Sequence, residues 1–185
     1  MMKNSEFKII TAVISLFVTL VILLGAYNVY NKYMVEKPVT TQLAGLPTVK
    51  SAEITKVDNE YLIQLQLKQV DNIQDSYNQI ESTINRKIKN DKYKIEIQDA
   101  GNKELGQFYN ELQPVLYQGL SGQQYLWLNE QIKERSTNKG IESRLYVDDK
   151  RVYLQLKDAD SYLYKTFDIA QTQTNGGGDS WKKFC

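Results

Sequence analysis

The stretch IITAVISLFVTLVILLGA, residues 9–26, decides how the whole chain is organised. It contains no charged residue, no proline and a single glycine. At about 1.5 Å per residue, a helix of this length spans about 27 Å, close to the thickness of a bilayer's hydrocarbon core. In lipid the backbone must satisfy its own hydrogen bonds, which favours a helix despite the β-branched residues. We therefore predict a single transmembrane helix at residues 9–26, with membrane lipid as its partner.

A cleaved secretion signal is the alternative interpretation of this stretch. Lys3 and Lys8 precede it, as basic residues precede the apolar part of a signal peptide. That part usually holds about 7–15 residues, however, and cleavage follows a small residue, any residue and a second small residue. The best candidate here, Leu24-Gly25-Ala26, begins with leucine. Length and cleavage site together favour an anchor that is retained.

Flanking charges predict the orientation of the anchor. Two lysines and the amino terminus precede it, and Lys32 and Lys37 follow it. Because basic residues are enriched on the cytoplasmic side, we expect the short stub 1–8 in the cytoplasm. The larger part of the chain then lies on the extracytoplasmic side of a bacterial plasma membrane, in a single-pass topology.

Composition argues against several classes of function. The chain has 185 residues, no histidine and one cysteine, Cys185. Histidine is the commonest general base and metal ligand, so we predict a protein that is not an enzyme and has no metal or cofactor. No intramolecular disulfide can form, which is common in bacterial exported domains. A net charge of +1, with basic residues scattered among acidic ones, predicts no nucleic acid partner.

We expect five segments along the chain. Pro38 disfavours helix at the residue before it, so the anchor helix should stop by about Glu36. The segments are a cytoplasmic stub at 1–8, the anchor at 9–26, an interfacial helix end and linker at 27–47, an extracytoplasmic α+β domain at 48–170 and a flexible glycine-rich tail at 171–185.

Hydrophobic periodicity predicts the elements of that domain. Alternation of apolar and polar residues indicates strands at 51–57, 61–68, 93–98, 141–147, 151–157 and 161–167. The helical spacing of Ile73, Tyr77, Ile80, Ile84 and Ile88 predicts a helix from an Asp71 cap to about residue 90.

Two more helices and the strand pairing complete the predicted fold. One helix is expected from an Asn102 cap until Pro114 kinks or ends it near residue 113, and one from a Ser121 cap to just before Gly140. Turns at Asp58-Asn59 and Asp148-Asp149 predict two β-hairpins. The fold class is therefore α+β, with one mainly antiparallel sheet of five or six strands packed against about three helices.

The two predicted hairpins resemble each other. Residues 57–59 and 65–68 (VDN, LQLK) have counterparts at 147–149 and 154–157 (VDD, LQLK). Chance similarity between hairpins is one explanation. The other is a duplication, with two hairpin-and-helix halves that complete one sheet.

Paired carboxylates raise the possibility of a glycosidase or a metal site. The pairs are Asp148 with Asp149, Asp158 with Asp160, and Glu53 with Asp58. Asp148 and Asp149 lie where a hairpin must turn, and Asp158 follows a strand directly. Turn formation accounts for these residues, so we assign them no catalytic role.

Glutamines recur on the polar faces of the predicted strands. A solvated sheet face is the simple interpretation, and a protein-docking face is the functional one. Tyrosines at 109, 117, 146, 153, 162 and 164 outnumber what a small core needs, and tyrosine often anchors protein interfaces. The candidate interaction residues are Gln64, Gln66, Gln98, Gln155, Tyr153, Trp181 and Phe184.

Trp181 and Phe184 belong to the end of the chain, where they flank Lys182 and Lys183 after a glycine-rich stretch. Two rings and two ammonium groups can bind lipid headgroups or a protein groove, and Cys185 could link two copies. A disordered terminus is the alternative.

In layout, an anchor followed by a small α+β domain, the chain resembles extracytoplasmic ring-building and BON-like modules. We expect a non-catalytic protein-interaction or assembly module of a bacterial envelope complex, with a protein partner or self-association. The alternatives are a small-ligand or cell-wall-binding sensor and, third, an envelope hydrolase.

Overall fold

The described residues form two three-stranded sheets, each in its own unit of the chain, instead of the single sheet that the sequence predicts. The units are Met1–Gln98 and Asp99–Cys185. The computed structural model describes residues 4–57, 60–88, 92–98 and 100–169, without the side chains of 4–10, 27, 28, 31 and 32. The α+β class is confirmed, because both units combine helices with a sheet. The limits predicted for a folded domain, 48 and 170, stay predictions.

Helix α1, Asn4–Asn31, opens the first unit and leads into a π-helical turn at Lys32–Glu36. Its described side chains from Thr11 to Ala26 are uncharged and exposed. Within the described part of the chain, no helix is long and apolar enough to cross a membrane. The described residues therefore do not bear out the transmembrane helix predicted at 9–26.

The predicted linker is a helix. Helix α2, Lys37–Ala44, carries Pro38 in its first turn. Backbone N–H groups in the first turn have no partner within the helix, so proline costs no hydrogen bond there. Val39 and Leu43 of α2 are 0% exposed and belong to the core of the first unit. Pro38 thus lies in the first turn of a new helix, and buried apolar residues hold this segment in place. The helix before it, α1, ends at Asn31, within the limit of about Glu36 that the sequence predicts.

The first sheet mixes antiparallel and parallel pairing. Its strands are β1 (Val49–Val57), β2 (Glu60–Leu67) and β3 (Lys92–Gln98), in the order β1-β2-β3, with helix α3 (Ile73–Asn85) between β2 and β3. The predicted hairpin is confirmed by the antiparallel pairing of β1 with β2. Strand β3 is parallel to β2. Helix α3 returns the chain along the sheet, so the next strand starts at the same end as β2.

The inner face of this sheet and one face of α3 form the core. Tyr61, Ile63, Leu65 and Leu67 of β2 are at most 1% exposed. The predicted stripe of α3 is confirmed, since Ile73, Tyr77, Ile80 and Ile84 are buried. The helix is shorter than predicted, however, and ends at Asn85.

The cap of α3 is also one residue later than predicted. The side chain of Asn72, not Asp71, accepts hydrogen bonds from the backbone N–H groups of Gln74 and Asp75, at 2.8 and 3.3 Å. An amide oxygen at the N-cap satisfies donors that the first helical turn leaves without a partner.

The second unit packs two helices on an antiparallel sheet. The helices are α4 (Lys103–Ser121) and α5 (Tyr125–Thr137), and the strands are β4 (Glu142–Val147), β5 (Arg151–Asp158) and β6 (Ser161–Asp168), in the order β4-β5-β6. The second hairpin and the final edge strand are therefore confirmed. The core contains Phe108 and Leu112 of α4, Leu128 of α5, and Leu154 and Leu156 of β5.

Helix α4 continues through Pro114, where a kink or end was predicted. A proline inside a helix costs about 3 kcal/mol. Leu112 before Pro114 and Val115 and Leu116 after it are all buried, so packing on both sides offsets that cost. The cap predicted at Ser121 is wrong, because Ser121 is the last residue of α4 and α5 starts at Tyr125 with no side-chain cap.

The end of α5 is as predicted. The helix stops at Thr137, and Gly140 follows with a φ of 70°, a backbone region that favours glycine.

The two hairpins do not complete one sheet. Strands β2 and β5, which carry the repeated Leu-Gln-Leu motif, are each the central strand of a different sheet. Their third strands differ as well, because β3 is parallel to its neighbour and β6 is antiparallel. The duplication model with a shared sheet is therefore wrong.

Candidate polar docking face

Three of the predicted interaction residues lie together on the outer side of the first sheet. The register pairs Ser51 with Gln66 and Gln66 with Gln98, which makes one row across three strands. The next row is Glu53, Gln64 and Glu96. Residues directly opposite one another project from the same side of a sheet. We name these two rows the glutamine face: Ser51, Glu53, Gln64, Gln66, Glu96 and Gln98.

The glutamine face is open and polar, whereas the opposite side of the same strands is closed. Ser51, Glu53 and Gln98 are exposed, and Gln64, Gln66 and Glu96 are partly exposed. Between the glutamines of β2, Ile63 and Leu65 are 0% exposed on the inner side. The alternation of β2 thus separates a core side from a side that can meet another molecule.

Hydrogen bonds organise the charges at the β3 side of this face. Lys94 Nζ lies 2.8 Å from Glu96 Oε1. The hydrogen bond from Lys94 lowers the pKa of Glu96, and a hydrogen bond from the side chain of Gln64 lowers it further, against the opposing effect of burial. The same contact raises the pKa of Lys94. Both side chains are exposed, at 66% and 41%, so this pair contributes little to stability.

With the two further rows included, this side of the sheet is close to neutral. The register continues with Thr55, Leu62 and Lys94, and then with Val57, Glu60 and Lys92. Three carboxylates therefore share the side with two ammonium groups. Desolvating such a surface costs less than desolvating one of a single sign.

Tyr153 and Gln155 are not part of any exposed face. Tyr153 is 0% exposed and Gln155 is 7% exposed, although both lie on the polar side of an alternating strand. Their prediction as surface residues is therefore wrong. Strand β5 is the central strand of the second sheet, and its residues 152–156, which alternate between the two faces of the sheet, are all buried.

Tyr153 instead supports the β4–β5 turn. Its hydroxyl donates to Asp148 Oδ2 at 2.8 Å. Burial, and then the hydrogen bond to the Asp148 carboxylate, raise the pKa of Tyr153 to about 12. The other oxygen of Asp148 accepts from the backbone N–H groups of Lys150 and Arg151, each at 2.8 Å.

The other predicted tyrosines are distributed differently. Tyr164 is buried, Tyr117 is 55% exposed, and Tyr109, Tyr146 and Tyr162 are partly exposed. Tyr162 and Tyr164 stack with ring centroids 5.3 Å apart on β6. The tyrosines therefore serve both core and surface and do not form one exposed cluster.

The acidic pairs have local structural roles. Asp148 closes the hairpin turn, and Asp158 accepts a hydrogen bond from Asn102 Nδ2 at 3.0 Å. Glu53 lies on the glutamine face, while its predicted companion Asp58 is outside the described residues. Among the described residues, no group of three or more acidic or cysteine side chains could hold a metal ion.

Two depressions on the described surface each follow a single helix. One is lined by Asn78, Glu81, Ser82, Asn85 and Arg86 at the outer side of α3. The other is lined by residues 130–138 at the outer side of α5. Both are spaces between side chains of successive turns, so neither resembles a cleft that would enclose a substrate.

Trp181, Phe184 and Cys185 lie outside the described residues. Sequence reasoning missed one contributor to the glutamine face, strand β1. The polar alternation of Ser51, Glu53 and Thr55 was a signal that could have identified it.

No family model matches the chain, and no curated protein is significantly similar to it.

Proposed function

We propose that this chain is a non-catalytic assembly module of a bacterial envelope complex, held at the plasma membrane by its N-terminal helix and docking proteins on its glutamine face. The observation that carries the docking role is the register of β1, β2 and β3, which collects Gln64, Gln66 and Gln98 on one open side. Its partner is a protein with a polar surface of small net charge, because a strongly charged surface would find no complementary charge on this face.

The membrane location is supported by the character of α1. From Thr11 to Ala26 its uncharged, mostly apolar side chains are exposed on every side of the helix, with Leu16 at 70% and Phe17 at 64%. A helix that is apolar all round is stable when it is surrounded by lipid or by other apolar groups. Together with the apolar sequence from residue 9, this favours an anchor with the cytoplasmic stub at 1–8 and the sheets outside the cytoplasm.

Size sets what kind of docking the face can support. Even with the two further rows on the same side of the sheet, three strands about 4.8 Å apart and four rows of side chains cover only roughly 300 Å² of surface. A stable complex buries about 800 Å² on each partner. Contacts through this face alone are therefore weak, and anchoring both partners in one membrane compensates by raising their effective concentration.

Site-specific photo-crosslinking in the cells that make the protein tests the docking role. A benzophenone amino acid at Ser51 or Gln66 of the full chain should give a discrete crosslinked protein, because both positions lie in one row of the face. The control is Gln79, an exposed residue on the outer side of α3. Absence of adducts from both face positions, or the same adducts from Gln79, would overturn the proposal.

A further inference from the structure

Strand β3 is an edge strand of the first sheet. In the described part of the chain its ladder partner is β2 alone, at the end of the order β1-β2-β3. A strand edge presents a row of backbone N–H and C=O groups that can pair with another strand. Proteins often protect such edges with lysine, and β3 carries Lys92 and Lys94.

Apolar surface remains at the same edge. On the inner side of the sheet, Ile63 and Leu65 of β2 are 0% exposed. Their register partners on β3, Ile95 and Ile97, are only partly buried. Burial is therefore complete at the centre of the sheet and incomplete at β3. A strand added beside β3 would cover Ile95 and Ile97 further.

The sequence of β3 is complementary to itself when it is reversed. In KYKIEIQ, an antiparallel copy centred on Ile95 places Lys94 opposite Glu96 of the second copy, and Glu96 opposite its Lys94. On the inner side it places Tyr93 opposite Ile97 and Ile95 opposite its own counterpart. Opposite charges, and aromatic residues facing β-branched ones, are favourable cross-strand pairs.

Neighbouring registers are less favourable, which makes this one specific. A shift that centres the pair on Lys94 shortens the paired stretch to residues 92–96 and sets two Lys94 ammonium groups opposite each other, between two Lys92–Glu96 pairs. Centring on Glu96 shortens the paired stretch to residues 94–98 and sets two carboxylates opposite each other. Like charges directly opposite one another are destabilising. Shifts by one residue pair the polar side of one copy with the apolar side of the other.

We propose that two copies of this chain pair antiparallel through β3, centred on Ile95, and form one continuous six-stranded sheet. The partner is a second copy because the alternation of lysine, glutamate and isoleucine in β3 matches its own reverse over all seven residues of the strand. The exposed Lys94–Glu96 pair becomes part of a cluster of four alternating charges. This inference rests on the proposed assembly function, for which it names a second copy of the chain as a partner.

The edge of the second sheet provides an internal comparison. Strand β4 also carries an exposed pair two residues apart, Glu142 and Arg144, at 2.7 Å. Centring two β4 strands on Ser143 would match this pair, but only three residues of each strand would then face one another within its bounds, Glu142–Val147. Complementarity along a whole strand is a property of β3.

A charge-swap experiment on the full chain tests the pairing. The single cysteine, Cys185, takes a donor or an acceptor dye, and energy transfer between copies in dodecyl maltoside solution reports association. Lys94→Glu and Glu96→Lys should each weaken self-association at least tenfold, since each creates two like-charge contacts per pair. Mixing the two variants should restore association, because each then faces the opposite charge.

The double variant Lys94→Glu with Glu96→Lys guards against misfolding as an explanation. In this variant residues 94 and 96 still carry opposite charges, both within one copy and between the two copies, with the signs reversed. It should therefore associate like the wild type. Glu142→Lys and Arg144→Glu are the matched controls on β4 and should leave association unchanged.

Three results would overturn the inference: no transfer between wild-type copies, wild-type association in either single variant, or no recovery in the mixture. Any of these would leave the assembly function standing if the glutamine face still crosslinked to a different protein. If the glutamine face gave no crosslinks while the charge-swap variants behaved as expected, the docking role of that face would be overturned and the pairing through β3 would stand.

Discussion

At the scale of single residues, burial separates two glutamines that occupy the same motif. Gln66 and Gln155 both lie between leucines on a central strand. Gln66 is partly exposed on the glutamine face, whereas Gln155 is 7% exposed. The same short pattern therefore supplies a surface residue in one unit and a core residue in the other.

Tyr153 leads to a prediction about alkaline pH. Its pKa is about 12 in the folded chain and about 10 in an unfolded one, so the folded state holds the phenolic proton more tightly. The resulting stability is complete below about pH 10 and is lost as the pH rises towards 12. A shift of this size corresponds to roughly 1–3 kcal/mol.

Denaturant unfolding of wild type and Tyr153→Phe at several pH values measures this effect. At pH 7 the variant should lose about 1–2 kcal/mol, because the hydrogen bond to Asp148 is gone. The gap between the two proteins should narrow from pH 10 to 12. Tyr117→Phe, at a position 55% exposed, is the control and should change the free energy of unfolding by less than about 0.5 kcal/mol. A constant gap across this pH range would contradict the role assigned to Tyr153.

At the scale of elements, close packing positions α4 against α5. A Cβ atom built on Gly119 of α4 would lie 2.7 Å from Leu128 Cβ, a separation that real side chains do not adopt. The backbone of α4 therefore approaches α5 at a position where only glycine fits. Gly119 is therefore a contact point between the two helices.

Two glycine substitutions in α4 should have opposite effects. Gly119→Ala should destabilise the chain by about 1–3 kcal/mol, the usual cost of overpacking a core. Gly106→Ala, at a helical position with no atom within 4 Å of the added Cβ, should stabilise it by about 0.5–1 kcal/mol. Thermal unfolding followed by circular dichroism compares them. Equal shifts of Tm in both variants would mean that α4 and α5 do not approach each other at Gly119.

At the scale of the whole molecule, the N-terminal helix determines where the two sheet units are held. If α1 is an anchor, the full chain should stay with the membrane fraction after alkaline carbonate washing, with residues 1–8 still attached. Leu20→Arg, near the middle of the apolar stretch, should impair insertion by about 2.5–3.5 kcal/mol.

The control for that variant is Lys8→Arg, which keeps the charge that precedes the apolar stretch. It should remain in the membrane like the wild type. A washed supernatant that contains a soluble form beginning near residue 27 would establish a cleaved signal instead, and the proposed anchor would then be wrong.

Local pattern alone predicted most elements of this chain. The alternation in β2, the stripe of α3, both hairpins and the edge strand β6 were all visible in the sequence, because the side chains of an element alternate or repeat with its own period. What lies against each face is decided elsewhere in the chain. For that reason the sequence placed Gln64 and Gln66 on a polar side but misplaced Gln155 and Tyr153.

Tertiary structure alone decided the pairing of strands and the role of 37–44. The sequence of β3 is compatible with either direction, and the return of the chain through α3 makes it parallel to β2, which brings Gln98 beside Gln66. The sequence predicts a linker after Pro38, yet this segment is a helix, and the burial of Val39 and Leu43 makes it part of the core. Periodicity is a property of neighbouring residues, whereas pairing and burial depend on contacts between distant ones, and these became visible only in the folded chain.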